Sequence, residues 1–264
     1  MQGKQVGTMI AWAAGTALAL VMLMQTSVLY AGTAQRDTAA NTSGTIPISI
    51  TLTASKDNTL YESATGNISN GAGDYLFAGQ TNQSAIRRAV LAFDLTDKLP
   101  AGATIVSATL QLHLSKTSAG STTGSVHRVL ANWGEGSSNA NSNEGGGVTA
   151  TTGDATWLHT LFNTTLWQTP GGDFTPTASA TAAVAGVATY QWRAPALLAD
   201  LQGWQANPAT NFGWLIMGDE STSGTAKRFD SRENPTAANR PQLTILYTVA
   251  ETATTALYLP LIRN

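Results

Sequence analysis

Few side chains in this 264-residue chain have the type and spacing that catalysis requires. The three histidines, His113, His127 and His159, include no pair at metal-ligand spacing, and the first two lie among the alternating residues of predicted strands. The sequence contains no HExxH, P-loop, strand-linked GxGxxG or GxSxG motif. The common metal-dependent, nucleotide-dependent and serine-dependent reactions are therefore not predicted.

Paired carboxylates are a further candidate for catalysis, because glycoside hydrolysis needs two of them facing each other. Several of the candidates adjoin glycines, where an aspartate typically stabilises a turn; the set is Glu135, Glu144, Asp154, Asp173, Asp219, Glu220, Asp230 and Glu233. Carboxylates on glycine-rich loops also suit calcium, but no EF-hand or Asp-rich repeat occurs. We expect no cofactor, and structural calcium is the alternative.

The tryptophans give a more specific signal. Four of them lie in or beside segments rich in Gly, Asn and Thr, where each could either plug the end of a sandwich or form an exposed platform for a sugar ring. The hypothesis is a ligand-binding surface made of Trp133, Trp157, Trp167 and Trp192, assisted by Asp173 and Arg193. Trp204 and Trp214 are predicted to lie in the core.

The elements that must position these residues are mostly short strands. Apolar residues alternate with polar ones or form short runs, which predicts strands near 46–52, 74–79, 88–94, 105–114, 125–130, 213–217, 227–231 and 242–247. Residues 194–204 instead have helical spacing, with Leu197, Leu198, Leu201 and Trp204 on one stripe. A long Gly/Asn/Ser-rich loop spans 133–154. The pattern predicts an all-β sandwich or barrel with one short amphipathic helix.

The N-terminus indicates export. Lys4 is the only charged residue before Arg36, an apolar run covers 9–24, and small residues follow at 31–34. Residues 1–34 therefore form a predicted signal helix, either a cleaved signal peptide or an uncleaved anchor that would be the only contact with a membrane. We further predict a linker at 35–45, a sandwich domain at 46–248, and a Thr-rich spacer with an apolar tail at 249–264.

Composition restricts the partners. Charged residues make up 11% of the chain, the net charge is −2, and loss of residues 1–34 changes it to −3. A nucleic-acid partner is not expected, because too few basic residues are present to neutralise many phosphates. Cysteine is absent, so disulfides and cysteine-based zinc sites are excluded. A neutral or weakly acidic glycan fits this charge better than a strong polyanion.

Several segments together resemble the DNRLRE domain, which is similar to the carbohydrate-binding module family numbered ninety-six. The resemblance covers roughly residues 56–247 and is carried by 56–62, 70–73, 76–79, 87–95, 99–105, 126–129, 133–136, 153–157, 228–233 and 239–244. The name-giving motif corresponds to the segment that ends Ser231-Arg232-Glu233. The resemblance implies a secreted bacterial β-sandwich of jelly-roll type, usually without catalysis. Some relatives bind acidic polysaccharide such as alginate, and others belong to large cell-surface proteins.

We therefore expect a secreted or cell-surface, non-enzymatic module that binds polysaccharide. The alternatives are a structural or adhesive surface module, which should bury its tryptophans, and a polysaccharide-degrading enzyme, which should bring two carboxylates together in a cleft. Asp230, Arg232 and Glu233 are expected mainly to hold the fold, since arginine at a strand end can satisfy carboxylates and backbone carbonyls.

Overall fold

The computed structural model describes residues 46–142 and 144–250, which belong to one compact unit. The predicted signal segment 1–34, the linker 35–45 and tail residues 251–264 lie outside the described residues. No helix in the described ranges is both long enough and apolar enough to cross a membrane.

Fifteen strands and one α-helix make up the described chain. The strands are β1 (Ile48–Thr53), β2 (Lys56–Tyr61), β3 (Ile68–Ser69), β4 (Tyr75–Gln80), β5 (Ile86–Ala92), β6 (Ala103–Lys116), β7 (Thr122–Arg128), β8 (Val148–Thr149), β9 (His159–Leu161), β10 (Thr165–Leu166), β11 (Ala180–Val184), β12 (Ala188–Trp192), β13 (Trp214–Met217), β14 (Lys227–Asp230) and β15 (Gln242–Val249). The helix is α1 (Pro195–Ala206), and three single 3₁₀ turns cover Glu144–Gly146, Pro208–Thr210 and Ala237–Asn239.

Two antiparallel layers form the sandwich. Sheet A has the order β1-β15-β6-β14-β4. Strand β12 also belongs to this sheet and pairs with Leu110 to Leu114 of the long strand β6. Sheet B has the order β4-β5-β13-β7-β11, and β2 pairs with β5. Strand β4 belongs to both layers, since Tyr75 to Ala78 pair with β14 whereas Gly79 and Gln80 pair with β5. Gly79 makes this crossing possible, because its φ of +116° disfavours any residue with a Cβ.

The main core lies between the two layers. Along β6 every second residue from Ala108 to Leu114 is buried, as the alternating pattern predicts. Trp214 and Trp192 fill the centre, and α1 closes one end by burying Leu197, Leu201 and Trp204. These features confirm the predicted all-β sandwich with one short helix.

A second apolar cluster lies on the outer face of sheet B. The residues of β2, β5 and β13 that point away from the main core are Leu60, Val90 and Leu215, and they contact Trp133, Trp157 and Trp167. These tryptophans come from the chain between β7 and β11, which therefore covers this face of the sheet. The predicted loop 133–154 contributes Trp133 to this packed layer, and the rest of the layer's own core comes from residues after it.

The sequence patterns missed seven short or polar strands. Strand β2 was not predicted as a strand, although its last five residues are all buried. Strands β11 and β12 are rich in alanine and threonine and alternate weakly. Pairing with β7 and β6, rather than intrinsic apolar alternation, accounts for their strand conformation.

Candidate functional site

The four tryptophans of the expected ligand surface are buried, so their predicted exposure is wrong. Trp133, Trp157, Trp167 and Trp192 are 1%, 8%, 5% and 0% exposed. Three of them donate their indole N–H to a backbone carbonyl: Trp133 to Phe212, Trp167 to Thr156 and Trp192 to Gly124, at 2.8–2.9 Å. Because a sugar ring has to reach the face of an indole to stack on it, these residues act as plugs of the two cores.

The two polar members of that set do not converge on a site either. The carboxylate of Asp173 accepts the backbone N–H groups of Gln168 and Thr169, each at 2.9 Å, and thereby closes a turn. Arg193 remains exposed just after β12, where it donates to the side chain of Gln191. Only Arg193 of the six predicted residues offers a substantial side-chain surface to a ligand.

A groove lies on the outer face of sheet A. Its volume is about 400 Å³, and it lies where β4, β14 and the end of β6 meet the loops after β4 and around Glu144. Its lining is Tyr75, Phe77, Thr81, Asn82, Gln83, Arg87, Lys116, Thr117, Ser118, Ser142, Glu144, Gly145, Gly224, Ala226 and Arg228. We call this set the basic groove, because it contains three cationic side chains and one carboxylate.

Strand geometry places two aromatic rings in the basic groove. Tyr75 and Phe77 stand at alternate positions of β4, so both project from the same face, and both are half-buried. The guanidinium of Arg228 lies 3.7 Å from the centroid of the Tyr75 ring, and its Nε donates to Ser115 Oγ at 3.1 Å. Tyr75 therefore holds Arg228 by a cation–π contact, while Phe77 supplies a ring on the same face of β4.

The charges of the basic groove come from three different elements. Lys116 is exposed at the end of β6 and pairs in register with Arg228, and Arg87 enters from β5. Arg87 is held by the carbonyls of Ile86 and Gly145, and burial lowers its pKa from the ordinary value. The carboxylate of Glu144 is 5% exposed and is already occupied by donors from Asn70 and the Tyr75 backbone. The groove therefore has a net positive charge, from three cationic side chains and one carboxylate.

A second notable arrangement is a carboxylate cluster made of Asp57, Glu135 and Glu233. One oxygen of each lies within 4.8 Å of the others. Arg232 neutralises part of the cluster, since its Nε lies 3.2 Å from Glu135 Oε1, its Nη1 lies 2.7 Å from Glu233 Oε1, and its backbone N–H donates to Asp57. None of the three carboxylates lines the basic groove.

Burial dominates the electrostatics of the carboxylate cluster. Desolvation, and next the charge of Glu233, raise the pKa of Asp57 well above its ordinary range. Desolvation, reinforced by Glu135, raises the pKa of Glu233 to about 6, and desolvation also raises that of Glu135. The oxygen-rich ligand set is of the kind that calcium uses, but Arg232 already supplies a positive charge to two of its members.

Asp230, Arg232 and Glu233 form internal contacts. Asp230 is 1% exposed, and its Oδ2 lies 2.6 Å from His113 Nδ1 on the neighbouring strand β6. Glu233 belongs to the carboxylate cluster, and Arg232 pairs with two of its members. Asp230 at the end of β14 binds His113 of β6, and Arg232 binds Glu135, whereas the Glu233 side chain pairs with its neighbour Arg232.

Alternation along the predicted strands indicates the residues of the basic groove, although the predicted ligand surface did not include them. Phe77 and Tyr75 alternate with the buried Leu76 and Ala78, so one face of a predicted strand had to carry both rings outside the core. Arg228 alternates in the same way with Phe229. What the sequence did not show is that β14 pairs with β4 and brings Arg228 against Phe77.

Comparison with known proteins adds no assignment. No protein-family model matches the chain, and no curated protein matches it either. The functional argument therefore depends on the geometry of the basic groove.

Proposed function

We propose that the protein is an exported, non-catalytic module that binds acidic polysaccharide of the extracellular space or cell surface in the basic groove. The observation that carries this proposal is the combination of the half-buried Phe77 ring with the stacked Arg228 on one open strand face. A pyranose ring needs an apolar surface, and its carboxylate or sulfate needs a cation nearby.

The positions of the cations favour an acidic ligand over a neutral one. Arg228 and Lys116 occupy paired positions of β14 and β6, and Arg87 stands across the groove on β5. Arg228 makes only one side-chain hydrogen bond among the described residues, through Nε, so its Nη groups are available to a carboxylate. The net charge of the whole chain favoured a neutral or weakly acidic glycan, but the local charge decides what this groove attracts.

Matched arginine variants test this proposal. Arg228→Gln should lower the affinity for a polyuronate such as alginate about tenfold, because one charge-assisted hydrogen bond is lost. Phe77→Ala should weaken binding to a similar extent, whereas Arg193→Gln, which changes an exposed arginine away from the groove, should leave the affinity unchanged. Calorimetric titration measures the affinity, and thermal melting checks that each variant folds.

Salt and a neutral glucan separate the ligand classes. Raising the NaCl concentration from 50 to 500 mM should weaken polyuronate binding, since the exposed charges are screened. Dextran should bind more weakly than the polyuronate at both salt concentrations. Binding of dextran alone would contradict the acidic ligand, and equal affinity of the Arg228→Gln variant would remove the groove from the proposal.

A structural or adhesive surface module is the second candidate function. The observation in its favour is the burial of the four loop and strand tryptophans, which a module without a glycan ligand should show. If no acidic or neutral polysaccharide binds at low salt, this candidate replaces the first. A degrading enzyme is less well supported, because Asp57 in the carboxylate cluster is 1% exposed and Arg232 bridges the other two carboxylates.

A further inference from the structure

The outer face of sheet A continues beyond the basic groove along the long strand β6. Gln111, His113 and Ser115 alternate with buried leucines, and all three are half-buried, so their side chains project from this outer face. Ser115 Oγ accepts a hydrogen bond from Arg228 Nε at 3.1 Å, which places Ser115 beside the groove. Since every second residue of a strand advances about 6.8 Å, Gln111 lies roughly 14 Å from Ser115 along the same face.

His113 joins the basic groove to this part of β6. Tyr75, which lines the groove, pairs in register with Asp230, and the Oδ2 atom of Asp230 lies 2.6 Å from His113 Nδ1. Because a carboxylate accepts hydrogen bonds, the proton of the neutral imidazole lies on Nδ1, and Nε2 is left as an acceptor that faces away from Asp230. The His113 side chain is 21% exposed, so a hydroxyl group of a ligand on this face can donate to it.

A row of amide side chains crosses the sheet at the level of Gln111. Gln242 of β15 and Gln191 of β12 lie opposite Gln111 in register. Gln191 Nε2 donates to Gln111 Oε1 at 3.2 Å, and Gln111 Nε2 donates to Gln242 Oε1 at 3.5 Å, so these bonds orient the central amide. An amide nitrogen carries two hydrogens, and within the described ranges Gln111 uses one of them, so the other is available to a ligand. We call His113, Gln111 and Gln242 the polar strip; Arg193, which donates to Gln191, is not part of it.

The charge of sheet A suits an acidic chain along the polar strip. In the six strands of this sheet, β1, β4, β6, β12, β14 and β15, all of which the structure describes, the only acidic residue is Asp230. Asp230 is buried and pairs with His113. The strands therefore place no exposed carboxylate beside the polar strip, and a polyuronate can lie along it without the repulsion that like charges would cause.

We propose that the polar strip extends the basic groove, so that the protein binds several consecutive sugar units of one acidic polysaccharide chain. This inference rests on the proposed binding of a uronate beside Arg228. From there the chain follows β6, where its hydroxyl and carboxylate oxygens bind His113 Nε2 and the free amide hydrogens of Gln111 and Gln242. The distance of roughly 14 Å from Ser115 to Gln111 is more than one sugar unit can span. The groove then recognises charge, and the polar strip makes the affinity depend on chain length.

Oligomers of defined length test this extension. In calorimetric titrations with alginate oligomers of two, four and six units, the native protein should bind the tetramer about tenfold more tightly than the dimer, because two or three hydrogen bonds are added. In Gln111→Ala this ratio should fall to about twofold, and Gln111→Glu, which keeps the size but adds a negative charge, should lower it further. Arg228→Gln should weaken binding at every length and keep the ratio. The matched control is Gln168→Ala, an exposed glutamine in the layer over sheet B, which should change neither affinity.

The outcomes of this experiment separate the polar strip from the basic groove. Thermal melting checks that each variant folds, and Gln242→Ala takes the place of a Gln111 variant that does not. Equal affinity of the native protein for dimer and tetramer, with weaker binding in Arg228→Gln, would overturn the polar strip and leave the groove in place. A tenfold ratio that persists in the folded Gln111 variants would also overturn it, because the additional sugar units would then lie elsewhere. Absence of binding at every length in 50 mM NaCl would overturn both proposals.

Discussion

The outer faces of the two sheets use aromatic side chains in opposite ways. On sheet B the chain between β7 and β11 folds back over the strands and buries Trp133, Trp157 and Trp167. On sheet A no segment within the described ranges 46–142 and 144–250 forms such a layer over β4 and β14, and Tyr75 and Phe77 remain half-buried in an open groove. An aromatic residue in a polar, glycine-rich context is therefore not by itself a sign of a binding platform, because what matters is whether another segment covers it.

The same comparison explains the distribution of charge. The covered face keeps its cations in internal contacts, as when Arg88 pairs with Glu220 at 2.7 Å and lies over the Trp157 ring. The open face leaves Lys116 exposed and Arg228 stacked at the surface. The cation of the covered face is therefore used in internal contacts, whereas Lys116 and Arg228 on the open face can donate to a ligand.

The largest expected effect tests whether the covered face is structural. Trp133→Ala should destabilise the protein by about 3–5 kcal/mol, because it removes a fully buried indole and leaves a cavity. Phe77→Ala on the open face should cost only about 1 kcal/mol, since much less apolar area is lost. Urea unfolding measures both values.

The comparison fails if the two substitutions cost the same. A small loss for Trp133→Ala would mean that the layer between β7 and β11 is not needed for the fold, and the tryptophans would regain their place as candidate ligand contacts. A large loss for Phe77→Ala would show that the open face also contributes to the core.

How far the sequence predicted these features depends on the range of the interactions involved. Alternation along single segments located β6, β15 and the stripe of α1 at Leu197, Leu201 and Trp204, because burial on one face is a local pattern. The same rule applied to β4 would have placed Tyr75 and Phe77 outside the core.

Long-range packing was not accessible in the same way. Nothing local to Trp133 or Trp157 shows that their segment folds onto Leu60 and Leu215. The carboxylate cluster joins Asp57, Glu135 and Glu233 from three distant parts of the chain, and the local sequence around each carboxylate does not show that they meet.

An intermediate effect is expected at Arg232, which pairs with Glu135 of the segment between β7 and β11. Arg232→Ala should cost about 1–3 kcal/mol, because Glu135 and Glu233 lose their shared cation while Asp57 stays buried. Arg232→Lys keeps the charge but not the fork geometry and should recover only part of the loss. The affinity for polyuronate should stay unchanged in both variants, since Arg232 does not line the basic groove.

Adding calcium to the native protein and to Arg232→Ala extends this experiment. In the native protein the guanidinium already neutralises two of the three carboxylates, so 5 mM CaCl₂ should leave the melting temperature almost unchanged. In Arg232→Ala the exposed oxygen set can accept the ion, and the same addition should restore part of the lost stability. A clear calcium-dependent rise in the native protein would instead assign a structural calcium to the cluster.

The smallest expected effect is a pH dependence that belongs to Glu233. Its pKa is raised to about 6 in the folded protein by burial and by the charge of Glu135, above the value near 4.5 that an unfolded chain would have. The folded state therefore binds more protons than the unfolded state between these values, and stability falls as the pH rises through that window. The contribution is about 1 kcal/mol after allowance for the partial exposure of the side chain.

Glu233→Gln isolates this contribution because the amide stays neutral at every pH. The variant and the native protein should be about equally stable near pH 4.5, and the variant should be the more stable one near pH 7.5. Urea unfolding at several pH values measures the difference, and subtraction removes the opposing effect of carboxylates with lowered pKa values such as Asp94 and Asp219. Burial also raises the pKa values of Asp57 and Glu135, so some fall in stability should persist in the variant. If the native protein instead gains stability relative to Glu233→Gln as the pH rises, the bond from Arg232 outweighs desolvation, and the cluster is a net attractive ion pair.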